Sequence, residues 1–254
     1  MTAASPRVSV VMPVYNVAAN PTLRAYLATA VQSVLHQDFP DWELVAVNDG
    51  STEGTGDLLE AYARTDRRIR VLHLEKNGGI SSAINQGVAF AAGPLLARMD
   101  ADDISVPYRL NTQVAFLDAH PQVDIVGSGM YVINEDSLIL RELIRPQGHE
   151  DLVRFAVEHG CPFVHGSVMM RRSIFDWVGG YSTSPEWDYC EDFEMWYRVL
   201  SQGRGHNLPE CLYLYRQHSS SVSQLKKERQ EKATQKLLEM FRKRFGHSGF
   251  SQAA

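Results

Sequence analysis

Four short β-branched runs, spaced by amphipathic stretches within the first hundred residues, limit what this chain can fold into more than any other feature. Residues 8–12 (VSVVM), 44–47 (LVAV), 69–74 (IRVLHL) and 95–99 (LLARM) read as strands. The first two are almost uniformly apolar, as strands covered on both faces are. Between the runs, Leu23, Leu27, Val31, Val34 and Leu35 share one helical face, Leu58, Leu59 and Tyr62 a second, and Ile84, Val88 and Ala91 a third. Parallel strands need crossovers of about this length, so the alternation predicts an α/β fold with a doubly wound parallel sheet. Ligands of such sheets sit outside the carboxyl ends of the strands. The loops there are polar: Pro13-Val14-Tyr15-Asn16, Asn48-Asp49-Gly50-Ser51-Thr52, Glu75-Lys76-Asn77-Gly78-Gly79 and Asp100-Ala101-Asp102-Asp103. They are expected to meet on one rim.

Beyond residue 121 the alternation weakens. Residues 123–133 and 138–143 read as strands of a mixed or antiparallel extension joined by a turn at 134–137. Helices are expected at 150–158 and 193–200, and strands at 168–170 and 208–215. With no Gly-, Ser- or Pro-rich linker and no internal repeat, residues 7–223 are expected to form one domain with halves at 7–120 and 121–223, followed by a basic segment at 224–254.

A 254-residue chain that is 44% hydrophobic and 22% charged builds its own core without staples. The three cysteines, Cys161, Cys190 and Cys211, form no CxxC pair and are odd in number, which predicts a reducing, cytoplasmic setting. Residues 1–7 carry no apolar core of a signal peptide, and no stretch reaches the roughly 20 apolar residues of a membrane span. The formal charge of −5 is unevenly placed, because residues 225–246 hold eight Lys and Arg against three Glu. The remaining body is acidic, which argues against nucleic acid as a partner. In the basic segment Ala233, Leu237, Phe241 and Phe245 share one helical side, with Lys226, Lys227, Lys232, Lys236, Arg242, Lys243 and Arg244 largely elsewhere. Such a helix either lies on an anionic membrane, peripherally at its inner face, or packs on the body or a second subunit.

No GxxxxGK[ST] loop is present and no GxGxxG follows the first strand, so a P-loop or dinucleotide enzyme has little support. The Asp100-Ala101-Asp102-Asp103 cluster is the strongest chemical signal. Carboxylates this close repel one another unless a cation sits among them, and hard oxygen donors suit Mg²⁺ or Mn²⁺ bound with a diphosphate. An Asp run is also a common helix cap. Asn48-Asp49-Gly50-Ser51 has turn composition, yet an Asp in a switch-point crevice can accept hydrogen bonds from a base or ribose. Asn77, Gly78 and Gly79 with Ser81, Ser82 and Asn85 read equally as a capped helix start or as backbone donors near a ligand. Glu191 and Asp192 open an amphipathic helix, where they serve either as caps or as a carboxylate kept ionised for base catalysis.

In this order and spacing, the segments resemble the family 2 glycosyltransferases, inverting enzymes of the GT-A fold that use nucleotide-diphosphate sugars. The likeness spans residues 7 to about 223. Pro13, Val14, Tyr15 and Asn16 resemble the family's P-x-Y-N loop along the nucleotide base, and residues 48–52 its D-D-G-S-T turn, with Asp49 on the base and Asn48 departing from the pattern. Residues 77–85, with Asn77, Gly79 and Ser82, are similar to its N-x-G-x-x-x-A-x-N segment. Asp100, Ala101 and Asp102 resemble the DxD motif, which implies Asp100 near the ribose and Asp102 on the metal. Glu191-Asp192 with Trp196 and Arg198 resembles E-D-x-x-x-W-x-R, which implies Asp192 as the base and Glu191 and Trp196 in contact with acceptor or diphosphate. His165, Gly166 and Ser167 are implied in the sugar pocket. Tyr215-Arg216-Gln217-His218 resembles the closing Y-R-x-H, with His218 on the metal or diphosphate and Arg216 on the diphosphate. Gly179-Gly180-Tyr181 fits a G-G-Y turn of structural use.

The resemblance implies a GT-A-type (Rossmann-like) mixed sheet flanked by helices, with nucleotide-sugar and acceptor halves. It also implies a metal-assisted single displacement from a donor, expected to be a UDP-sugar, to a saccharide or lipid-linked acceptor in polysaccharide or glycoconjugate assembly. Two other readings stay open. A sugar-phosphate nucleotidyltransferase would want a Gly-rich, Arg-bearing loop after the first strand, which residues 13–16 do not supply. A catalytically silent nucleotide-sugar-binding protein would have lost the base that Asp192 retains.

Overall fold

The computed structural model describes residues 5–218 and 227–246. Val8–Val14 (β1), Trp42–Asn48 (β2), Ile69–His73 (β3) and Leu95–Arg98 (β4) alternate with Pro21–Leu35 (α1), Thr55–Thr65 (α2) and Gly79–Phe90 (α3). All three pairings among these strands are parallel, in the order β3-β2-β1-β4. The chain reverses its winding between β1 and β4, and that reversal opens a crevice at their carboxyl ends.

The period of two decides which side chain goes where. Val10 and Met12 of β1 and Leu44 and Ala46 of β2 enter one core with Leu27, Val31 and Val34 of α1. Val11, Val45 and Val47 point the other way and pack with Ile84 and Val88 of α3. Strands buried on both faces therefore carry no polar alternation, as the sequence shows.

The chain beyond β4 extends the same sheet. Ile104–Ser105 (β5), Arg109–Ala119 (α4), Ile125–Ile133 (β6), Ile139–Leu143 (β7), His149–Glu158 (α5), Met169–Arg171 (β8), Arg172–Val178 (α6), Glu191–Gln202 (α7) and Gly205–Arg216 (β9) follow in order. The path continues β4-β8-β6-β9-β5, with β7 paired to β6, and mixes antiparallel pairs with the parallel β6–β9 pair. Adjacent arginines fasten the halves together. Arg171 donates to the carbonyls of Leu117 and Val123, at the end of α4, and Arg172 to those of Val88, Ala91 and Gly93, at the end of α3. The Leu117 carbonyl, in the last turn of α4, and the Ala91 carbonyl, just past α3, are acceptors of the kind a helix C-terminus leaves short of partners.

Lys227–Phe245 forms the last described helix, α8. Ala233, Leu237 and Phe241 are buried in the core that holds α5 and α7, and the Phe241 ring stacks on Phe193 at 5.1 Å. The apolar stripe is thus spent on the body, the second of the two readings of this segment. Arg242, Lys243 and Arg244 remain exposed. No helix among the described residues is long and apolar enough to cross a membrane. Phe241→Ala is expected to cost about 3–5 kcal/mol, the usual range for removing a buried aromatic ring, and to lower the urea midpoint. An unchanged midpoint would show that α8 does not dock in solution.

Candidate active site

The four loops meet around a cavity of about 330 Å³ lined by Pro13, Val14, Tyr15, Asp49, Asn77, Gly79, Asp100, Ala101, Asp102 and His218 among others. Asn16 does not line it. Held at φ 47°, its Oδ1 accepts from the Thr52 amide at 2.9 Å and its own amide donates to Ser51 Oγ at 3.0 Å, tying the first loop to the second. Asn48 explains its departure from Asp: its Nδ2 faces His73 Nδ1 at 3.0 Å across β2 and β3 while its Oδ1 accepts from Ser51 N. A carboxylate has no donor for the first of these. At Gly50, φ is +63° and a Cβ would sit 2.3 Å from the backbone of Lys76 and Asn77, so the second and third loops approach closely only with glycine here.

Asp49 is buried and its carboxylate accepts from Asn77 Nδ2 at 3.0 Å, Gly78 N at 2.9 Å and Gly79 N at 3.0 Å. The first donors of α3, read from sequence as open toward a ligand, are therefore given to Asp49. Ser82, expected beside the ligand, instead accepts from Gln86 one turn along α3.

Asp100, Asp102 and Asp103 bring one carboxylate oxygen each within 4.8 Å of one another. Strand β9 completes this corner by pairing with β5. The Arg216 amide donates to Asp103 Oδ1 at 2.7 Å, and His218 Nε2 lies 2.9 Å from Asp102 Oδ2. Asp103 Oδ2 is sealed from solvent without a hydrogen-bond partner. Burial pushes Asp103 well above the usual carboxylate range, and the negative charges of Asp100 and Asp102 add to it. Burial likewise raises Asp100, against the pull of Arg98. Hard oxygens, an unsatisfied buried carboxylate atom and mutual repulsion together fit a hard divalent cation.

The second acidic region begins α7. Asp192 Oδ1 accepts from the Phe193 amide at 2.7 Å, and Cys161 Sγ approaches Oδ2 at 3.6 Å. Glu191 and Asp192 line a separate cavity of about 580 Å³ with Trp187, Asp188, Tyr189 and Gln230 of α8. Asn77, Gly79 and Ile80 line both cavities, so the two acidic regions open onto one continuous cleft. Burial raises the proton affinity of both carboxyls; Glu191 is pushed up to about 7, with the Asp192 charge as the second cause.

Several residues expected in contact with sugar or diphosphate line neither cavity. A Cβ on Gly166 would meet the Tyr213 ring at 2.2–2.5 Å, so this glycine admits Tyr213 rather than a ligand. Ser167 is fully buried and its Oγ donates to the Val164 carbonyl. Trp196 is fully buried in the core. Arg216 is 2% exposed and is spent on the carbonyls of Asp102, Asn134 and Glu135. His165 bonds Tyr181 Oη at 2.9 Å, and burial holds its proton affinity well below the ordinary imidazole value. These assignments are corrected to packing roles.

Two buried residues beside the acidic cluster have no counterpart in the sequence reading: Arg98 and Tyr213. Arg98 is buried at the end of β4 and ion-paired to Asp100. Tyr213 Oη accepts from the Asp100 amide at 3.1 Å. The signal for Arg98 was a charge inside the apolar run LLARM.

A switch-point crevice bearing an acidic cluster, on a mixed sheet flanked by helices, defines the GT-A class of glycosyltransferase. Solved structures agree: Staphylococcus aureus TarS in complex with UDP-GlcNAc superposes with TM-score 0.66 at 21% identity, covering 85% of this chain and 60% of that one. The mannosyltransferase PcManGT from Pyrobaculum calidifontis, in complex with GDP-Man and Mn²⁺, gives 0.64 at 21% identity, covering 87% and 60%. The chain thus spans about 60% of the length of those solved chains. Residues 9–179 match the profile of Glycosyl transferase family 2. The O-antigen biosynthesis glycosyltransferase WbnJ of Escherichia coli is 30% identical over 86% of this chain and 85% of its own length. EpsE of Bacillus subtilis (strain 168), assigned as a glycosyltransferase, is 35% identical over 85% of this chain and 75% of its own. The protein belongs to glycosyl transferase family 2.

Proposed function

We propose that the protein moves a sugar from a nucleoside diphosphate sugar to an acceptor hydroxyl by one inverting displacement, with the donor in the cavity beside the Asp cluster and the acceptor in the cavity beside Asp192. The observation that carries this reading is the shared wall: Asn77, Gly79 and Ile80 border both cavities, so one sugar ring can bridge them. Residues 7–120 then serve the donor and 121–223 the acceptor, except that His218 returns to the donor side and Asn77, Gly79 and Ile80 border both.

Asp102, with Asp100, Asp103 and His218 beside it, would hold Mn²⁺ or Mg²⁺. When bound, the cation stabilises the negative charge that develops on the departing diphosphate, an effect worth several kcal/mol at a transition state. Asp49 orders the loop under the base, and the half-exposed Tyr15 ring offers it a flat face. Asp192 accepts the proton of the attacking hydroxyl from the far side of the anomeric carbon, which contributes on the order of 10²–10⁴ in rate. Attack opposite the leaving group inverts the centre.

Several features support the finer assignments. TarS and PcManGT carry UDP-GlcNAc and GDP-Man in their structures, and a UDP-sugar donor is our choice between them. WbnJ is named for O-antigen biosynthesis, which supports a saccharide or lipid-linked acceptor in polysaccharide assembly. Free Cys161, Cys190 and Cys211 suit a cytoplasmic setting, and the exposed basic face of α8 suits electrostatic contact with anionic lipid at its edge.

A thermal-shift panel of UDP- and GDP-sugars with and without Mn²⁺ tests the reading. A ligand at about 100 times its Kd stabilises the native state by about 2.7 kcal/mol, which raises Tm by about 5–10 °C in a chain this size. The rise is expected for one nucleotide class and only with the metal. No rise with any nucleotide sugar would overturn the proposal.

A further inference from the structure

The far wall of the cavity beside Asp192 is built by residues beyond the 9–179 span of the family match. Trp187, Asp188 and Tyr189 from the loop before α7, Glu191 and Asp192 at its start, and Gln230 of α8 line a space of about 580 Å³. That volume falls within the roughly 300–1,000 Å³ of small-molecule sites. Helix α8 is fastened to the loop along its length. Arg229 Nη1 lies 4.0 Å from Asp188 Oδ2, Thr234 Oγ1 meets Cys190 Sγ at 3.4 Å, and Lys236 pairs with Glu186 while its Nζ lies 5.2 Å from the centre of the Trp187 ring. The docked stripe of Ala233, Leu237 and Phe241 holds the same helix against the core, so Gln230 has a fixed station at the cavity edge.

Two features of the lining select a ligand. The first is charge. Asp188, Glu191 and Asp192 are acidic, and among the described residues no Lys, Arg or His lines the cavity. A carboxylate or phosphate brought there meets like charge with no cation in the wall to receive it, whereas hydroxyl groups donate to these same carboxylates. The second is Tyr189, half-buried and held at φ 67°. A bulky side chain adopts that left-handed backbone at a cost glycine escapes, so a tyrosine at this place beside Asp192 calls for a use. An aromatic ring offers its face to the C–H side of a sugar while neighbouring polar groups take the hydroxyls.

We propose that the acceptor is an uncharged saccharide residue, stacked on Tyr189 and read by the side-chain amide of Gln230 from α8, and that any carboxylate or phosphate of the acceptor molecule lies outside this cavity. The acceptor role of the cavity rests on the glycosyl-transfer reading; the charge and shape of its lining add the class of acceptor. Gln230 determines specificity here because its amide both donates to and accepts from sugar hydroxyls without adding charge. Helix α8 is thereby part of the site as well as part of the core.

The test compares glycosides that differ only at C6. The p-nitrophenyl gluco-, galacto- and mannopyranosides and the corresponding uronides are titrated into the full-length protein with Mn²⁺ and UDP or GDP, and saturation-transfer NMR gives each Kd. In at least one pair the neutral member is expected to bind about tenfold or more tightly than its uronide, the order of effect of an unpaired like charge in a partly enclosed site. Gln230→Ala is expected to weaken the neutral glycoside by about 3–10-fold, the net worth of a hydrogen bond. The Mn²⁺-dependent rise in Tm with nucleotide sugar is expected to stay, since Gln230 does not line the donor cavity. Gln230→Lys puts a cation in the wall and is expected to raise affinity for the uronide while lowering it for the neutral partner, which a purely structural role for α8 would not do. Tyr189→Gly relieves the backbone, so it is expected to melt no lower than the wild type yet to bind the neutral glycoside about 3–10-fold more weakly. Equal binding within every pair, tighter binding of the uronides, or no binding of any neutral glycoside would overturn the proposal. Any of these results alongside a nucleotide-sugar-dependent rise in Tm leaves glycosyl transfer standing with a different acceptor, whereas absence of that rise is the separate failure of the transfer reading.

Discussion

Asp192→Asn is expected to lower transfer by on the order of 10²–10⁴, the usual contribution of a positioned general base, while the donor-dependent rise in Tm stays at its wild-type value. Asn keeps the size of the side chain and can still accept from the Phe193 amide at the start of α7, so the helix is not unmade. Asp192 lines the acceptor cavity and not the donor cavity, which is why affinity for nucleotide sugar is spared. Loss of donor binding with normal turnover of what binds would overturn the assignment. The pH dependence has a definite sign. Burial raises the proton affinity of Asp192 and takes Glu191 to about 7, so the base is lost as pH falls through the titration of the pair and activity falls with it. The same raised affinity works against stability in the opposite direction. Between the ordinary Glu value of 4.5 and about 7, the folded chain holds a proton that the unfolded chain releases, so the contribution of Glu191 to stability declines as pH rises through that window.

How much of this was legible in the residues differs between the halves for a physical reason. In the first half each strand is buried on both faces and each helix is amphipathic, so period and composition agree, and β1 to β4 with α1 to α3 fall where the pattern puts them. The chain beyond β4 assembles from partners distant in sequence. Helix α4 escapes because buried Arg109 and Gln113 interrupt its apolar face, and their hydrogen bonds to carbonyls of other elements cannot be foreseen from spacing. Helix α6 spans seven residues and β5 two, too short for a period to show. The site divides in the same way. The loops after β1 to β4 and the Glu191-Asp192 pair follow from position at strand and helix ends. The sequence could not say which residues of the second half face the cleft: Arg216 looks like a diphosphate ligand until its donors are found on the carbonyls of the 134–135 turn, and Trp196 like an acceptor or diphosphate contact until the core closes over it. Arg98 drew no role from the sequence because a charge inside an otherwise apolar strand has no partner that spacing can name; the structure pairs it with Asp100.

The acidic loop after β4 carries the second large effect, and its signature is a change in what metal does rather than a change in the fold. The Asp102 side chain meets the donor cavity and bonds His218, while its carbonyl, which a substitution keeps, accepts from Arg216; Asp103 holds the Arg216 amide through its side chain and with it the end of β9. Asp102→Ala is therefore the informative deletion and Asp103→Ala a disruptive one. Removing Asp102 takes away a like charge that acts on both Asp100 and Asp103, so the metal-free variant is expected to melt no lower than the wild type. The Mn²⁺-dependent increment with nucleotide sugar is expected to vanish, because a direct ligand should matter at least as much as the outer partners, whose loss costs about 10–100-fold in metal affinity. Melting curves with donor alone, Mn²⁺ alone and both, taken on the two proteins, separate these effects. A variant that keeps the full metal-dependent increment would place the cation elsewhere, and one that melts well below the wild type without metal would mean that Asp102 supports the fold rather than the ion.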